Sequence, residues 1–226
     1  MSRSTLRPES LPGGRLARAA KPADAAPAAT KAAKKTATPA AHKAAGEIRI
    51  IGGQWKRTRL PVAQRPGLRP TPDRVRETLF NWLGQDLAGW RCLDAFAGTG
   101  ALGFEAASRG ASAVQLVEND AALVAQLHTL QQRLEASAVR VQRGDGIAAL
   151  KHAAPGSVDL VLIDPPFESP LFEPAVEAAA KAVSADGFVY LEAPRAWTDE
   201  ELAPQGLAVH RHLKAGAVHA HLLKRS

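Results

Sequence analysis

From Arg91 onward, short β-prone runs alternate with helical patterns: Arg91 to Phe96, Ala113 to Glu118, Val139 to Arg143, Val158 to Ile163 and Gly187 to Leu191, with helical stretches between them. Parallel strands need crossover connections, and this alternation supplies them. The pattern predicts βαβ units and a mainly parallel sheet, an α/β fold. Near the end, Leu207 to Leu213 and Val218 to Lys224 flank Lys214-Ala215-Gly216-Ala217 and read as an antiparallel hairpin closing one sheet edge.

A second hairpin is expected earlier. Ile48 to Ile51 and Thr58 to Val62 are β-prone and flank Gly52-Gly53-Gln54-Trp55-Lys56. After a Pro-rich connection, Thr71-Pro72 reads as a helix N-cap followed by proline at the first helical position, and Val75, Leu79 and Trp82 or Leu83 recur at helical spacing.

Residues 1–46 are dominated by Ala, Pro, Lys, Arg and Thr, with no aromatic residue and no sustained apolar periodicity. Such a segment cannot bury enough surface to order itself, so a disordered basic tail is expected, followed by one α/β domain over 47–226. No apolar run is long enough to span a bilayer, and the N-terminus lacks the apolar core of a secretory signal. A cytoplasmic monomer is the expectation. An organellar transit peptide is the minority reading of the tail, weakened by its prolines. Cys92 is the only cysteine, which excludes an intrachain disulfide or a multi-thiolate metal site.

Charge is segregated. The tail carries nine Lys or Arg against Glu9 and Asp24, a +7 that equals the formal charge of the whole chain. The rest is neutral, yet residues 47–76 hold Arg49, Lys56, Arg57, Arg59, Arg65, Arg69, Arg74 and Arg76 against only Glu47 and Asp73. One face built for a polyanion is expected, with nucleic acid favoured over a merely solvated surface. Trp55, at the tip of the hairpin, is placed to stack on a base.

The chemistry-bearing residues fall at strand ends. The first strand of the alternating region ends in Asp94-Ala95-Phe96-Ala97-Gly98-Thr99-Gly100, a turn that lets a ligand approach the backbone and aims helix N-terminal N–H groups at it. Glu118, twenty positions beyond Gly98, ends the next strand and could accept ribose hydroxyls. Gly98-Thr99-Gly100-Ala101-Leu102-Gly103 also satisfies the dinucleotide fingerprint, so a NAD reading is legitimate. Two features tilt the choice to S-adenosylmethionine. Asp94 would neutralise an ammonium group but repel a pyrophosphate. Asp145, after the third of these strands, is placed to accept from an adenine amino group; alone it reads equally as a helix cap.

Asp164-Pro165-Pro166-Phe167 follows the apolar run Val158 to Ile163. Two prolines stiffen the turn, leaving a carboxylate, backbone carbonyls and an aromatic ring at a rigid pocket edge suited to a planar amino-bearing base. A Pro-rich loop ending a strand is the plain alternative. His210, His212, His219 and His221 are expected to pair 210 with 221 and 212 with 219 on one face of the closing hairpin, as a solvated strip rather than a metal site.

Ile48-Arg49-Ile50-Ile51-Gly52-Gly53-Gln54-Trp55, Leu68-Arg69-Pro70-Thr71, Asp73-Arg74-Val75-Arg76-Glu77-Thr78-Leu79-Phe80-Asn81-Trp82-Leu83, the stretch from Leu93-Asp94 to Gly100-Ala101-Leu102-Gly103, and Asp164-Pro165-Pro166-Phe167 together carry a family resemblance. The chain resembles the RsmD family of 16S ribosomal RNA guanine-N2 methyltransferases, within the class I S-adenosylmethionine-dependent methyltransferases, from Glu47 to the C-terminus. The resemblance implies a Rossmann-like, seven-stranded mainly parallel sheet with helices on both faces, preceded by a β-hairpin and helix over 47–83, with the cofactor-binding and catalytic core over 91–226. It implies methylation of a guanine in 16S rRNA, position 966, within assembled 30S particles. The assignment that follows is Asp164, Pro165, Pro166 and Phe167 as catalytic; Asp94, Phe96, Gly98, Thr99, Gly100, Glu118 and Asp145 as cofactor-binding; and Arg49, Trp55, Lys56, Arg57, Arg59, Arg69, Arg74 and Arg76 as RNA-binding, with no metal. An adenine-N6 methyltransferase shares most of these features but usually ends its proline motif in Tyr or Trp. A non-enzymatic RNA-binding module for ribosome assembly would leave the strand-end carboxylates unexplained.

Overall fold

The computed structural model describes residues 47–62 and 71–226; the expected tail, Arg65 and Arg69 lie outside the described residues. Strands β1 (Glu47–Arg49) and β2 (Arg59–Pro61) pair antiparallel as the first hairpin. Helix α1 (Asp73–Trp82) leads into β3 (Arg91–Asp94), α2 (Ala101–Ser108), β4 (Ala113–Glu118), α3 (Ala121–Arg133), β5 (Val139–Arg143), α4 (Gly146–His152), β6 (Val158–Ile163), α5 (Phe172–Ala182), β7 (Val183–Ala193), α6 (Asp199–Leu202), β8 (Leu207–Ala215) and β9 (Val218–Arg225). These form a seven-stranded sheet in the order β5-β4-β3-β6-β7-β9-β8. The first five of these strands in sequence run parallel, and β9 and β8 close the edge antiparallel.

The apolar run in β6 is continuous because both of its faces are covered. Leu160 and Leu162 pack with Leu79, Phe80, Phe104 and Leu127 of α1, α2 and α3, whereas Val161 and Ile163 pack with Ala175, Val176 and Ala179 of α5. The strand order reverses between β3 and β6, which are neighbours although far apart in sequence. The carboxyl ends of those two strands therefore open the crevice where such sheets place ligands.

Three local expectations are corrected. Thr71 does not cap α1; Pro72 occupies the cap position with no side-chain cap bond, and the helix starts at Asp73. Strand β7 starts at Val183, directly after α5, rather than at Gly187. In the closing hairpin, Ala215 pairs with Val218 across a two-residue turn, shorter than the four residues expected, which places His212 opposite His221 and Lys214 opposite His219; the register then shifts between Val209 and Arg211. One extra residue reverses which face the following side chains take. His210 accordingly turns to the other face and lies 5.8 Å from the Phe188 ring, while His212, His219 and His221 stack with one another. His221 is fully buried, not part of a solvated strip: its Nε2 accepts the Trp197 N–H, and burial lowers its pKa to about 4, so it is neutral. Among the described residues, no helix is long and apolar enough to cross a membrane.

Candidate active site

Asp94 ends β3 and is 1% exposed. Its Oδ2 accepts the Gly103 N–H of α2 at 3.1 Å, and the Phe96 N–H also bonds it. Burial raises its pKa to about 7, and the neighbouring Glu118 carboxylate pushes the same way. The groups that hold this carboxylate are amides, not cations, so a positively charged ligand would restore what burial costs.

Glu118, half-buried at the end of β4, braces the glycine turn. Its Oε2 accepts the Gly98 N–H at 2.9 Å and its Oε1 the Asp120 N–H at 2.8 Å. Each oxygen retains a second lone pair for a ligand hydroxyl. Asp145 both caps α4, accepting the Ala148 N–H at 2.7 Å, and lines the cavity. The two sequence readings of Asp145 are therefore compatible, since the cap fixes the carboxylate at the cavity wall. Gly146 beside it tolerates no side chain: a Cβ there would lie 2.0 Å from the Ala95 carbonyl oxygen.

Asp164 leaves the end of β6 half-buried, followed by buried Pro165, exposed Pro166 and a half-buried Phe167 packed on the core. The Pro166 carbonyl accepts both the N–H and the hydroxyl of Ser169, which locks the turn. Thr71, which the sequence reading treated only as a helix cap, is 3% exposed and donates its hydroxyl to Asp164 Oδ2 at 3.4 Å.

Asp94, Phe96, Gly98, Thr99, Glu118, Asp145 and Asp164 to Phe167 all line one cavity of about 860 Å³, together with Thr71, Asn119 and Asp120; Gly100 stands behind it as the left-handed N-cap of α2. Asn119 and Asp120 follow Glu118 directly, so the strand-end logic that found Glu118 extends to them. Six carboxylate side chains and no Lys or Arg are among the described lining residues. A pyrophosphate placed there would meet only repulsion from the charged side chains, which disfavours the dinucleotide reading. A nucleoside bearing positive charge fits.

The basic residues behave less uniformly. Lys56, Arg57 and Arg74 are exposed, as are Arg49, 3.9 Å from Asp73, and Arg59, paired with Glu47 at 3.0 Å. Trp55 is half-buried against the core rather than displayed at the tip. Arg76 is no phosphate contact. It is fully buried, with Nη1 on Glu105 at 3.3 Å, Nη2 on Asp73 at 2.6 Å and Nε on the Thr71 carbonyl at 3.3 Å. The turn of the first hairpin is seated on α2: Glu105 accepts the Ile51 and Gly52 N–H groups at 2.7 and 2.8 Å, and the Ser108 carbonyl accepts Gln54 N–H. Gly53 has φ 73° and a Cβ there would sit 1.8 Å from the Ser108 oxygen, so this contact requires glycine. A smaller cavity of about 350 Å³ lies between this turn and α1 and contains none of the strand-end carboxylates.

The family described as conserved hypothetical protein 95 matches residues 48–224. Ribosomal RNA small subunit methyltransferase D of Escherichia coli (strain K12) is 39% identical over 186 residues, covering 81% of this chain and 93% of that protein. The protein of the same name from Haemophilus influenzae is 37% identical over 191 residues, covering 79% and 97%. The solved structure of a candidate methyltransferase from Escherichia coli, yhhF, superposes with a TM-score of 0.69 at 41% identity, covering 80% of this chain and 99% of that one.

Proposed function

The chain belongs to the conserved hypothetical protein 95 family, the RsmD family of methyltransferases, and from that premise we propose that it methylates the exocyclic N2 of a guanine in 16S rRNA, with S-adenosylmethionine as cofactor. The guanine at position 966, presented in assembled 30S particles, is the substrate this reading assigns. The observation that carries it is the acidic cavity at the β3–β6 crevice, with the buried Asp94 on one side and the Asp164-Pro165-Pro166-Phe167 edge on the other.

Bound there, S-adenosylmethionine would supply an electrophilic methyl carried on positively charged sulfur. Asp94 would hold its ammonium group, Glu118 its ribose hydroxyls and Asp145 its adenine amine, with the Gly98 to Gly100 turn allowing close approach. The chain's own work falls on the base. A guanine N2 is a poor nucleophile because its lone pair is conjugated with the ring, so alignment is the main lever. The Asp164 carboxylate and the Pro165 carbonyl would accept the two amine hydrogens and favour a pyramidal nitrogen, while Phe167 stacks on the ring. Asp164 or solvent would take the released proton.

The exposed Lys56, Arg57 and Arg74 would meet phosphates, and the basic stretch 1–46 adds to that attraction. The domain organisation in this reading is a basic tail over 1–46, an RNA-facing hairpin and helix over 47–83, and a catalytic core over 91–226. The deciding experiment is transfer of labelled methyl to unmodified 30S subunits and to naked 16S rRNA, followed by nucleoside mass spectrometry. N2-methylguanosine at one site is the expected product; N6-methyladenosine would overturn the base assignment.

A further inference from the structure

Asp164 needs more than a rigid backbone. Its following proline confines the main chain, but the carboxylate plane turns about a broad, two-fold terminal torsion, and that plane decides where the lone pairs point. A side-chain partner has to select the orientation.

Thr71 is built as such a partner. Pro72 confines the Thr71 backbone in the same way, with Pro72 itself at φ −58°. The Thr71 carbonyl is pinned by Arg76 Nε at 3.3 Å, and Arg76 is in turn fixed by Glu105 and Asp73, with no part of its side chain exposed. Two residues that each precede a proline thus face each other across 93 positions of sequence, and the hydroxyl of one reaches the carboxylate of the other at 3.4 Å. An ionised carboxylate only accepts, so the hydroxyl donates. The contact is long in the free protein, a usual state for catalytic hydrogen bonds before substrate arrives. Thr71 lines the same cavity as the Asp164 edge.

We propose that Thr71 is a positioning residue for the reaction, its hydroxyl orienting the Asp164 carboxylate toward the amine of the target base. This rests on the methyltransferase reading above. It assigns a role in chemistry to a residue that precedes α1 rather than lying at a strand end. The Arg76–Glu105 pair acts at one remove, by holding Thr71 in place.

The test compares Thr71→Val, which keeps the shape and removes the hydroxyl, with Thr71→Ser, which keeps the hydroxyl. Two readouts are needed: the titration midpoint of the Asp164 carboxyl, followed by carbon NMR and assigned with Asp164→Asn, and single-turnover methyl transfer to unmodified 30S subunits. A hydrogen bond to the charged form favours it, so Thr71→Val should raise the midpoint by about half to one unit. The same variant should slow transfer roughly tenfold, with calorimetric affinity for S-adenosylmethionine within about twofold. Thr71→Ser should behave as wild type in both. An unmoved midpoint in Thr71→Val overturns the proposal, as does equal impairment in Thr71→Ser, which would place the effect in packing. A midpoint that moves in a protein transferring no methyl to RNA would uphold the bond and sink the proposed function instead.

Discussion

The carboxylate of Glu105 and the guanidinium of Arg76 meet at 3.3 Å with neither side chain exposed to solvent. Arg109 joins them at 2.9 Å, so one buried carboxylate serves two guanidinium groups and also receives the Ile51 and Gly52 N–H groups. Removing one partner from a buried ionic group leaves the others uncompensated, which is far costlier than never having built it. Glu105→Ala should therefore lower global stability by about 3–5 kcal/mol in chemical denaturation. A loss below about 1 kcal/mol, the scale of an exposed pair, would mean that solvent reaches the cluster.

Asp164 is where alignment of the base is expected to originate; it follows β6, on the other side of β3 in the sheet from β4 and β5, which carry Glu118 and precede Asp145. Asp164→Ala should depress single-turnover methyl transfer by about a hundredfold or more while leaving S-adenosylmethionine affinity within a few-fold. Near-normal transfer in that variant would remove Asp164 from the mechanism. A parallel collapse of cofactor affinity would move it into the cofactor site.

The pKa of Asp94, raised by burial to about 7, should make affinity for S-adenosylmethionine depend on pH under the proposed assignment of Asp94 to its ammonium group. In the unfolded chain the carboxyl ionises near its usual 3.8, so between that value and 7 the folded protein holds a proton that the unfolded chain does not. On this group's account, stability is fully present below the unfolded value and is lost as the pH climbs through 7. A bound ammonium group works in the opposite sense by favouring the ionised form. Affinity for S-adenosylmethionine should rise with pH, approaching about tenfold per unit below 7, and then level off. Calorimetry in two buffers of different ionisation heat should detect proton release at pH 6 that fades by pH 8. No release at pH 6 would show that Asp94 does not face the cation, and Asp94→Asn should abolish both the release and tight binding.

The sheet and the strand-end carboxylates are legible in the sequence for one reason. In a parallel α/β fold, a polar residue closing an apolar run is placed by topology alone, so Asp94, Glu118, Asp145 and Asp164 converge once the alternation is recognised. What escaped were choices made by tertiary packing. Summing charge over 47–76 groups Arg76 with surface residues, although its helical phase sets it on the buried stripe with Val75, Leu79 and Phe80. Thr71-Pro72 is a sound local capping signal, yet the hydroxyl bonds Asp164 instead. The closing turn takes two residues rather than four, which re-pairs His212 and His219, and the extra residue at His210, which no alternation of side chains announces, turns that side chain to the other face.

The hairpin side chains should differ in how they serve RNA. Lys56 and Arg57 are exposed on the turn seated upon α2, whereas Arg59 already pairs with Glu47 at 3.0 Å. Each cation that neutralises a phosphate releases counterions, so its loss flattens the salt dependence of binding by roughly 0.7–0.9 in the slope of log affinity against log salt. Replacing Lys56 and Arg57 together by alanine should reduce that slope by about 1.5 for a 16S rRNA fragment, while Arg59→Ala should change it by about half a unit or less, because Glu47 competes for the guanidinium. Filter binding between low and moderate salt reads both. Equal slopes for the double variant and wild type would move the RNA face off the hairpin, and Asp164→Ala should keep the wild-type slope because it removes no cation.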